Sequence, residues 1–301
     1  MNILVIGSLN MDLVMEVEKI PKLGETVFGK NFKTVHGGKG ANQALAAAKL
    51  GANVKMIGAV GKDVFGESLK NNLKNNSVDV SKVENIGLTS GTALITVYQG
   101  DNSIILEQGA NFKLSAEHIN KNEKLFEWAD TIIMQLEIPV DVVMTAAKKG
   151  KELGKYVILN PAPAQKLPCE IFKYVDALIP NEHEAEQLLG YEITEKTCVN
   201  AIDEFKRKGC EQVIITLGEK GCIYNNKDFI SVGKIYRTDV IDTTAAGDSF
   251  VAAYAIAIGE GKSIEEAIKF ASCTSSIVVN RKGASTSLPT RKEVETRLNE
   301  K

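Results

Sequence analysis

The stretch VIDTTAAGDSFVAAYAIAI, Val240 to Ile258, changes character twice along its length. It begins extended and β-branched at Val240 and Ile241, passes through small polar residues, and becomes a helix of Ala, Val, Tyr and Ile. Ala245, Ala246 and Gly247 form the turn into that helix. Their small side chains leave the first-turn amide N–H groups uncovered, and those donors have no partner inside the helix. With the helix dipole added, the turn is a pocket for an anion. Asp248 then stands beside a phosphate-binding turn. Two uses compete for it: a base that takes the proton from a hydroxyl attacking phosphorus, or a cap on the helix N-terminus. This segment alone leaves both open.

Outward from that stretch, short apolar runs alternate with helical segments. That pattern belongs to the α/β class, a doubly wound, mostly parallel sheet flanked by helices. Asn2–Gly7 (NILVIG) reads as a buried parallel strand closing on glycine. Ligands bind at the C-terminal edge of such sheets, and polar residues gather there. Asn10 and Asp12, at i and i+2, point the same way in an extended segment. They are suited to gripping vicinal hydroxyls or to an Asx-turn. In HGGKGANQA (residues 36–44), glycines around Lys39 at a helix start let the backbone approach a ligand. Asn42 faces the same place, and a flexible turn with an exposed lysine is the alternative. The spacing fits neither a P-loop nor a dinucleotide fingerprint. Glu137 ends the strand Thr131–Leu136, and Gln212–Leu217 closes on Gly218-Glu219-Lys220-Gly221. Asn181 and Glu184 share a helix face, either as a solvated first turn or as ligands to a hydrated Mg²⁺.

Four extended segments interrupt the alternation: Leu13–Val17, Thr26–Val35, Thr92–Gln99 and Ser103–Gln108, the last two joined by a turn at 100–102. They predict a small antiparallel sheet, a lid or clasp, inserted at about residues 13–35 and 92–108 into one α/β domain spanning 1–301. Such a sheet has little core of its own, so a ligand or a second subunit is expected to cover one face. Single helices are expected over 63–73, near 115–128, and over 263–280.

Composition sets the outer limits. Of 301 residues, 44% are hydrophobic and 25% charged, with net charge −2, which gives no reason to expect nucleic acid or an anionic membrane. No apolar run approaches the ~20 residues of a membrane span, and the start lacks a signal peptide's pattern. Cys169, Cys198, Cys210, Cys222 and Cys273 form no CxxC pair and are expected as buried or half-buried free thiols in a reducing cytoplasm. His36, His118 and His183 make no zinc pattern.

With GSLNMD, GGKGANQA, MQLE, PNEHEAE, TLGEKG, DTTAAGDSF and RKGA in place, the whole chain resembles the ribokinase-like (PfkB) family of carbohydrate kinases. GGKGANQA and DTxxAGD, in this order and separation, are its most specific motifs. The resemblance implies ATP-dependent phosphorylation of D-ribose at its 5-hydroxyl, with Asp248 as base and Ala245, Ala246 and Gly247 as anion hole. It places sugar binding at Asn10, Asp12, Gly38, Lys39, Gly40, Ala41, Asn42 and Glu137. Nucleotide contacts fall on Asn181, Thr216, Leu217, Gly218, Glu219, Lys220, Gly221, Gly247, Asp248 and Ser272, with Glu184 linked to Mg²⁺ and phosphate. A monovalent cation, K⁺, is implied at Asp242, Thr244, Val278, Arg281, Gly283 and Ser287, and a homodimer through the clasp. The commonest family form has glycine where Ala245 stands. Rival readings are a kinase for deoxyribose, a nucleoside or pseudouridine, a non-catalytic sugar sensor, and an oxidoreductase, whose GxGxxG is missing after the first strand.

Overall fold

Central strands that are apolar on both sides build a sheet that must be covered on both faces. The computed structural model describes residues 1–301 except 100, 195, 227, 228, 234, 235, 237 and 301. Among these the strands are β1 Asn2–Ile6, β2 Asn10–Val17, β3 Gly29–Gly37, β4 Asn53–Val60, β5 Val78–Asn85, β6 Gly91–Tyr98, β7 Asp101–Glu107, β8 Thr131–Met134, β9 Tyr156–Leu159, β10 Ala177–Leu178, β11 Gln212–Thr216, β12 Cys222–Asn226 and β13 Phe229–Gly233. The helices are α1 Lys39–Lys49, α2 Val64–Asn75, α3 Ala116–Asn120, α4 Glu123–Trp128, α5 Val140–Glu152, α6 Glu182–Leu189, α7 Cys198–Lys208, α8 Ala246–Gly259, α9 Ile264–Val278 and α10 Arg291–Asn299.

Nine strands form the main sheet in the order β13-β12-β11-β10-β9-β8-β1-β4-β5. Pairing is parallel from β11 through to β5, and β12 and β13 add an antiparallel hairpin at one edge. Alternation along β1 divides the core in two. Ile3 and Val5 belong to the cluster that takes in α1, α8 and α9, while Leu4 and Ile6 belong to the one on the other face that takes in α5 and α7. Helix α8 is apolar all round, which suits only a buried helix, and residues 248–257 are all buried. Edge strand β5 went unpredicted. Its sequence VDVSKVEN mixes charge with β-branched residues because only part of it is buried.

A second sheet, ordered β3-β2-β6-β7, stands apart. Its outer pairs are antiparallel, but β2 and β6 lie parallel, which corrects the all-antiparallel expectation. Both strands leave the main sheet in the same direction, β2 just after β1 and β6 just after β5. The third strand begins at Gly29 rather than Thr26. Residue 100, in the expected 100–102 turn, lies outside the described residues. The helix expected near 115–128 is two short ones, because the Asn122 side chain donates to His118 O at 2.8 Å and closes the first. Val240 and Ile241 join no strand. Ile241 N instead donates to Val279 O at 2.7 Å, tying this segment to the end of α9. Four cysteines are buried, but Cys169 is exposed. Among the described residues no helix is long and apolar enough to cross a membrane.

Candidate active site

Polar groups from the C-terminal ends of β1, β8, β9 and β11 meet the N-termini of α1, α6 and α8. The glycines of GGKG explain how α1 comes so close. A Cβ on Gly40 would lie 2.5 Å from Ser8 N, and one on Gly38 2.7 Å from Asn10 N. A Cβ on Gly37 would lie 2.4 Å from an Asp12 carboxylate oxygen. The backbone that these glycines admit is therefore the chain's own, not only a ligand's. The result seats Lys39, Ala41 and Asn42 against the end of β1, with Ala41 N donating to Ser8 O at 2.9 Å.

Glu137 is the hub of this half of the site. Its Oε2 accepts from Ser8 Oγ at 2.6 Å, Asn10 Nδ2 at 3.2 Å and Lys39 N at 3.0 Å. Asn10 in turn accepts from Asn111 Nδ2 at 2.7 Å, and Asn111 pairs with both backbone groups of Leu9. Sequence reasoning missed Ser8 and Asn111. Ser8 could be found from its place inside GSLNMD; Asn111 has no local signal.

Asp12 lies on the same strand, half-buried, with its carboxyl pushed up to about 7 by burial and then by the charges of Glu137 and Asp248. A carboxyl so placed gains from hydroxyl donors that offset what it lost in leaving water. Lys39 supplies the opposing charge. Burial works against its ammonium, but Asp248, Glu137 and Glu184 together raise it above the usual lysine value.

Helix α8 does not use Asp248 as its cap. The N-cap is Ala245, in the left-handed region at φ 63°, with no side-chain cap. Asp248 belongs to the first turn and is buried, 7% exposed. Its Oδ2 accepts from Asn42 Nδ2 at 2.9 Å and its Oδ1 from Gln43 Nε2 at 3.0 Å. The capping alternative is thereby removed. Ala246, expected among the anion donors, already donates to Thr243 O at 3.2 Å, as a tight turn requires. The N–H groups of Ala245, Gly247 and Asp248 have no partner among the described residues, and a Cβ on Gly247 would meet open space. Ala246 O is pinned by Ser249 Oγ at 2.8 Å and by Ser275 Oγ of α9 at 2.9 Å.

On the other side, Asn181 and Glu184 form a reciprocal cap on α6: Glu184 N donates to Asn181 Oδ1 and Asn181 N to Glu184 Oε2, both at 2.8 Å. Glu184 is raised above the usual carboxylate value by burial, against the pull of Asn181 N–H and Lys39. Asn181 also bridges to Thr216, bringing two expected nucleotide contacts side by side. Leu217 to Gly221 form a tight loop, with Gly218, Glu219 and Lys220 exposed. Ser272 is half-buried on α9, the helix whose Ser275 anchors the anion turn.

The six residues expected around a cation lie in two adjoining loops and the end of α9. Asp242 Oδ1 accepts from Thr244 N at 2.9 Å and Thr244 Oγ1 at 2.6 Å, and its Oδ2 accepts from Gly283 N at 2.8 Å. Burial opposes its charge, but these donors and then Lys33 hold its carboxyl below the usual range. Arg281 pairs its guanidinium with Glu293 at 2.5 Å, while its N–H donates to Val278 O at 3.0 Å. Ser287 is buried with its hydroxyl on Ala284 O. Lys49, at the far end of α1, donates to Ser285 O and Leu288 O, both at 3.0 Å. Carbonyl, hydroxyl and carboxylate oxygens are the donor set that a hard cation takes.

A family model described as pfkB family carbohydrate kinase matches residues 1–291. The chain is 42% identical over 292 residues to ribokinase of Haemophilus influenzae, covering 96% of this chain and 95% of that one. It is 43% identical over 295 residues to ribokinase of Bacillus subtilis, covering 98% of each. Its fold matches the structure of Arabidopsis thaliana ribokinase complexed with ribose and ATP at TM-score 0.92, with 35% identity over 99% of both chains.

Proposed function

The chain belongs to the pfkB family of carbohydrate kinases, and we propose that it transfers the γ-phosphoryl group of ATP to the 5-hydroxyl of D-ribose. The observation that carries this reading is Asp248, a buried carboxylate held by Asn42 and Gln43 beside the unpartnered N–H groups of the α8 turn. An acceptor carboxylate and anion donors in one place are what phosphoryl transfer to an alcohol requires.

Asn10, Asp12, Gly38 to Asn42 and Glu137 hold the sugar, with carboxylates accepting from its hydroxyls and amides donating to its oxygens. Asp248 takes the 5-hydroxyl proton late, as bonding to phosphorus acidifies that hydroxyl. The open N–H groups of Ala245 and Gly247 offset charge growing on the transferred group. Asn181, the Thr216–Gly221 loop and Ser272 seat the nucleotide. Glu184, whose cap bond engages one carboxylate oxygen, would hold a Mg²⁺ that keeps its waters and offsets phosphate charge there. Asp242, Thr244, Val278, Arg281, Gly283 and Ser287 suit a K⁺ beside the anion turn, mainly through oxygen atoms. Exposed Phe32, Leu94, Ile104 and Ile105 on the clasp support a homodimer through that sheet. Cysteines without disulfides support a reducing, cytoplasmic setting.

The test is turnover with ATP, Mg²⁺ and K⁺, comparing D-ribose, 2-deoxyribose, fructose, adenosine and pseudouridine. D-ribose is expected to be preferred by kcat/KM. Preference for another acceptor leaves Asp248 and its turn in place and overturns the sugar-site reading.

A further inference from the structure

A chain of buried amides runs behind Asp248, away from the open side of the site. Gln43 Nε2 donates to Asp248 Oδ1 at 3.0 Å and to Asn160 Oδ1 at 3.1 Å. Gln43 Oε1 accepts from Gln135 Nε2 at 2.6 Å, and Asn160 Nδ2 donates to Ile179 O at 2.8 Å. Gln43 and Gln135 are fully buried, each 0% exposed, so neither meets a substrate directly.

The polarity of this chain is set from one end. An ionised carboxylate only accepts, so the amide facing it must present N–H. That turns the Gln43 oxygen toward Gln135, which must present N–H in its turn. Gln135 Oε1 is then left buried with no partner among the described residues. Reversing both glutamines would aim the Gln43 carbonyl at the oxygens of both Asp248 and Asn160. An unpaired buried carbonyl is costly, and the fold tolerates one here at the far end of a line of dipoles pointing at Asp248. Packing alone gives no reason for that choice.

We propose that Gln43, backed by Gln135 and Asn160, is a positioning residue that fixes the Asp248 carboxylate for the incoming hydroxyl; this rests on the reading of Asp248 as the base. Asn42 holds the other oxygen, Oδ2, and is 8% exposed where Gln43 is fully buried, so a sugar hydroxyl competes with Asn42 for that oxygen. Gln43 keeps its bond throughout the reaction cycle. Oδ1 is therefore locked, and Oδ2 is the oxygen that takes the proton.

The test is a double-mutant cycle on Gln43→Met and Asp248→Asn, read as kcat and KM in steady state and as slow single turnovers for the crippled variants. Met keeps the length of the side chain without its donor. Gln43→Met is expected to leave both KM values within about twofold and lower kcat about 10- to 100-fold, the scale of a misplaced catalytic group. In the Asp248→Asn background the same substitution is expected to cost nothing further, because its effect passes through the carboxylate. Unchanged kcat, or an equal loss in both backgrounds, overturns the proposal. If Gln43→Met does not fold, as read by circular dichroism, Gln135→Met removes the next link, and a loss of about 3- to 10-fold with the same non-additivity is expected; additivity there overturns it too. Near-normal turnover by Asp248→Asn alone is a different result, which removes the base and with it the reason to position it.

Discussion

Replacing Asp248 by Asn keeps the shape of the site and removes the proton acceptor. Asp248→Asn is expected to lower kcat by about 10²- to 10⁴-fold, the range of a positioned base, with ATP affinity nearly unchanged by calorimetry. Full turnover would remove Asp248 from that role. Asp12 makes a prediction in pH. Its folded carboxyl holds a proton up to about 7, against an ordinary 3.8, because of burial and the neighbouring carboxylates. Between those values the folded chain binds more protons than the unfolded one, so Asp12 lowers stability as pH rises through that window. Asp12→Asn is therefore expected to raise the melting temperature of the free protein at pH 8 by a few degrees and to weaken sugar binding. In the parent protein, sugar affinity is expected to fall as pH drops below about 7. A pH-independent Kd would contradict this account of Asp12. Asn10 and Glu137 were legible in the sequence because each follows an apolar run, Asp12 because it lies two residues beyond Asn10, and Asp248 because it opens an apolar helix behind a small-residue turn. Gln43, Gln135, Asn111 and Asn160 were not, although two of them sit inside quoted motifs. Their partners lie far away in sequence, 205 residues from Gln43 to Asp248 and 102 from Leu9 to Asn111.

Helices α1 and α8 carry the site as elements. The first turn of α1 borders the proposed sugar site, and its last turn, through Lys49, holds the carbonyls of Ser285 and Leu288. Lys49→Met is expected to cost about 1–3 kcal/mol in urea unfolding, as charge-assisted bonds do, and to raise the K⁺ concentration that half-activates turnover. An unchanged K⁺ requirement would separate this loop from the cation. At the start of α8, Ala245 holds φ 63°, a conformation that glycine adopts without the Cβ clash. Ala245→Gly is expected to stabilise the fold by about 1 kcal/mol, measured in the same unfolding experiment, and a loss would contradict the strain. The glycine-rich start of α1 was legible as a motif, but its purpose was half hidden. Close backbone contact between Gly40 and Ser8 joins segments that only the folded sheet brings together. The same limit explains β5 and the broken helix near residue 121. Edge exposure and a side-chain cap decided those, and neither leaves a strong periodic signal.

At the scale of the whole molecule, alternating apolar runs made the doubly wound sheet legible, since a strand buried on both faces has few other readings. The clasp was legible as a separate sheet, but not the parallel pairing of β2 with β6, which follows from where both strands leave the core. Ile105 is 68% exposed on that sheet, and burying such a patch against a second copy is what a dimer through the clasp would do. If the clasp is the proposed interface, the wild type is expected to sediment as a dimer and Ile105→Lys as a monomer in sedimentation velocity. A wild-type monomer would remove the proposed dimer, and a mutant that remains dimeric would place the interface elsewhere. The proposed reaction brings Asp248, the anion turn and the sugar residues to bear on one hydroxyl. It is tested most directly by NMR of the product formed from D-ribose, ATP, Mg²⁺ and K⁺. Phosphorus coupling at carbon 5 is the expected result. Phosphate on any other hydroxyl, or ATP consumed with no sugar phosphate formed, would contradict the account.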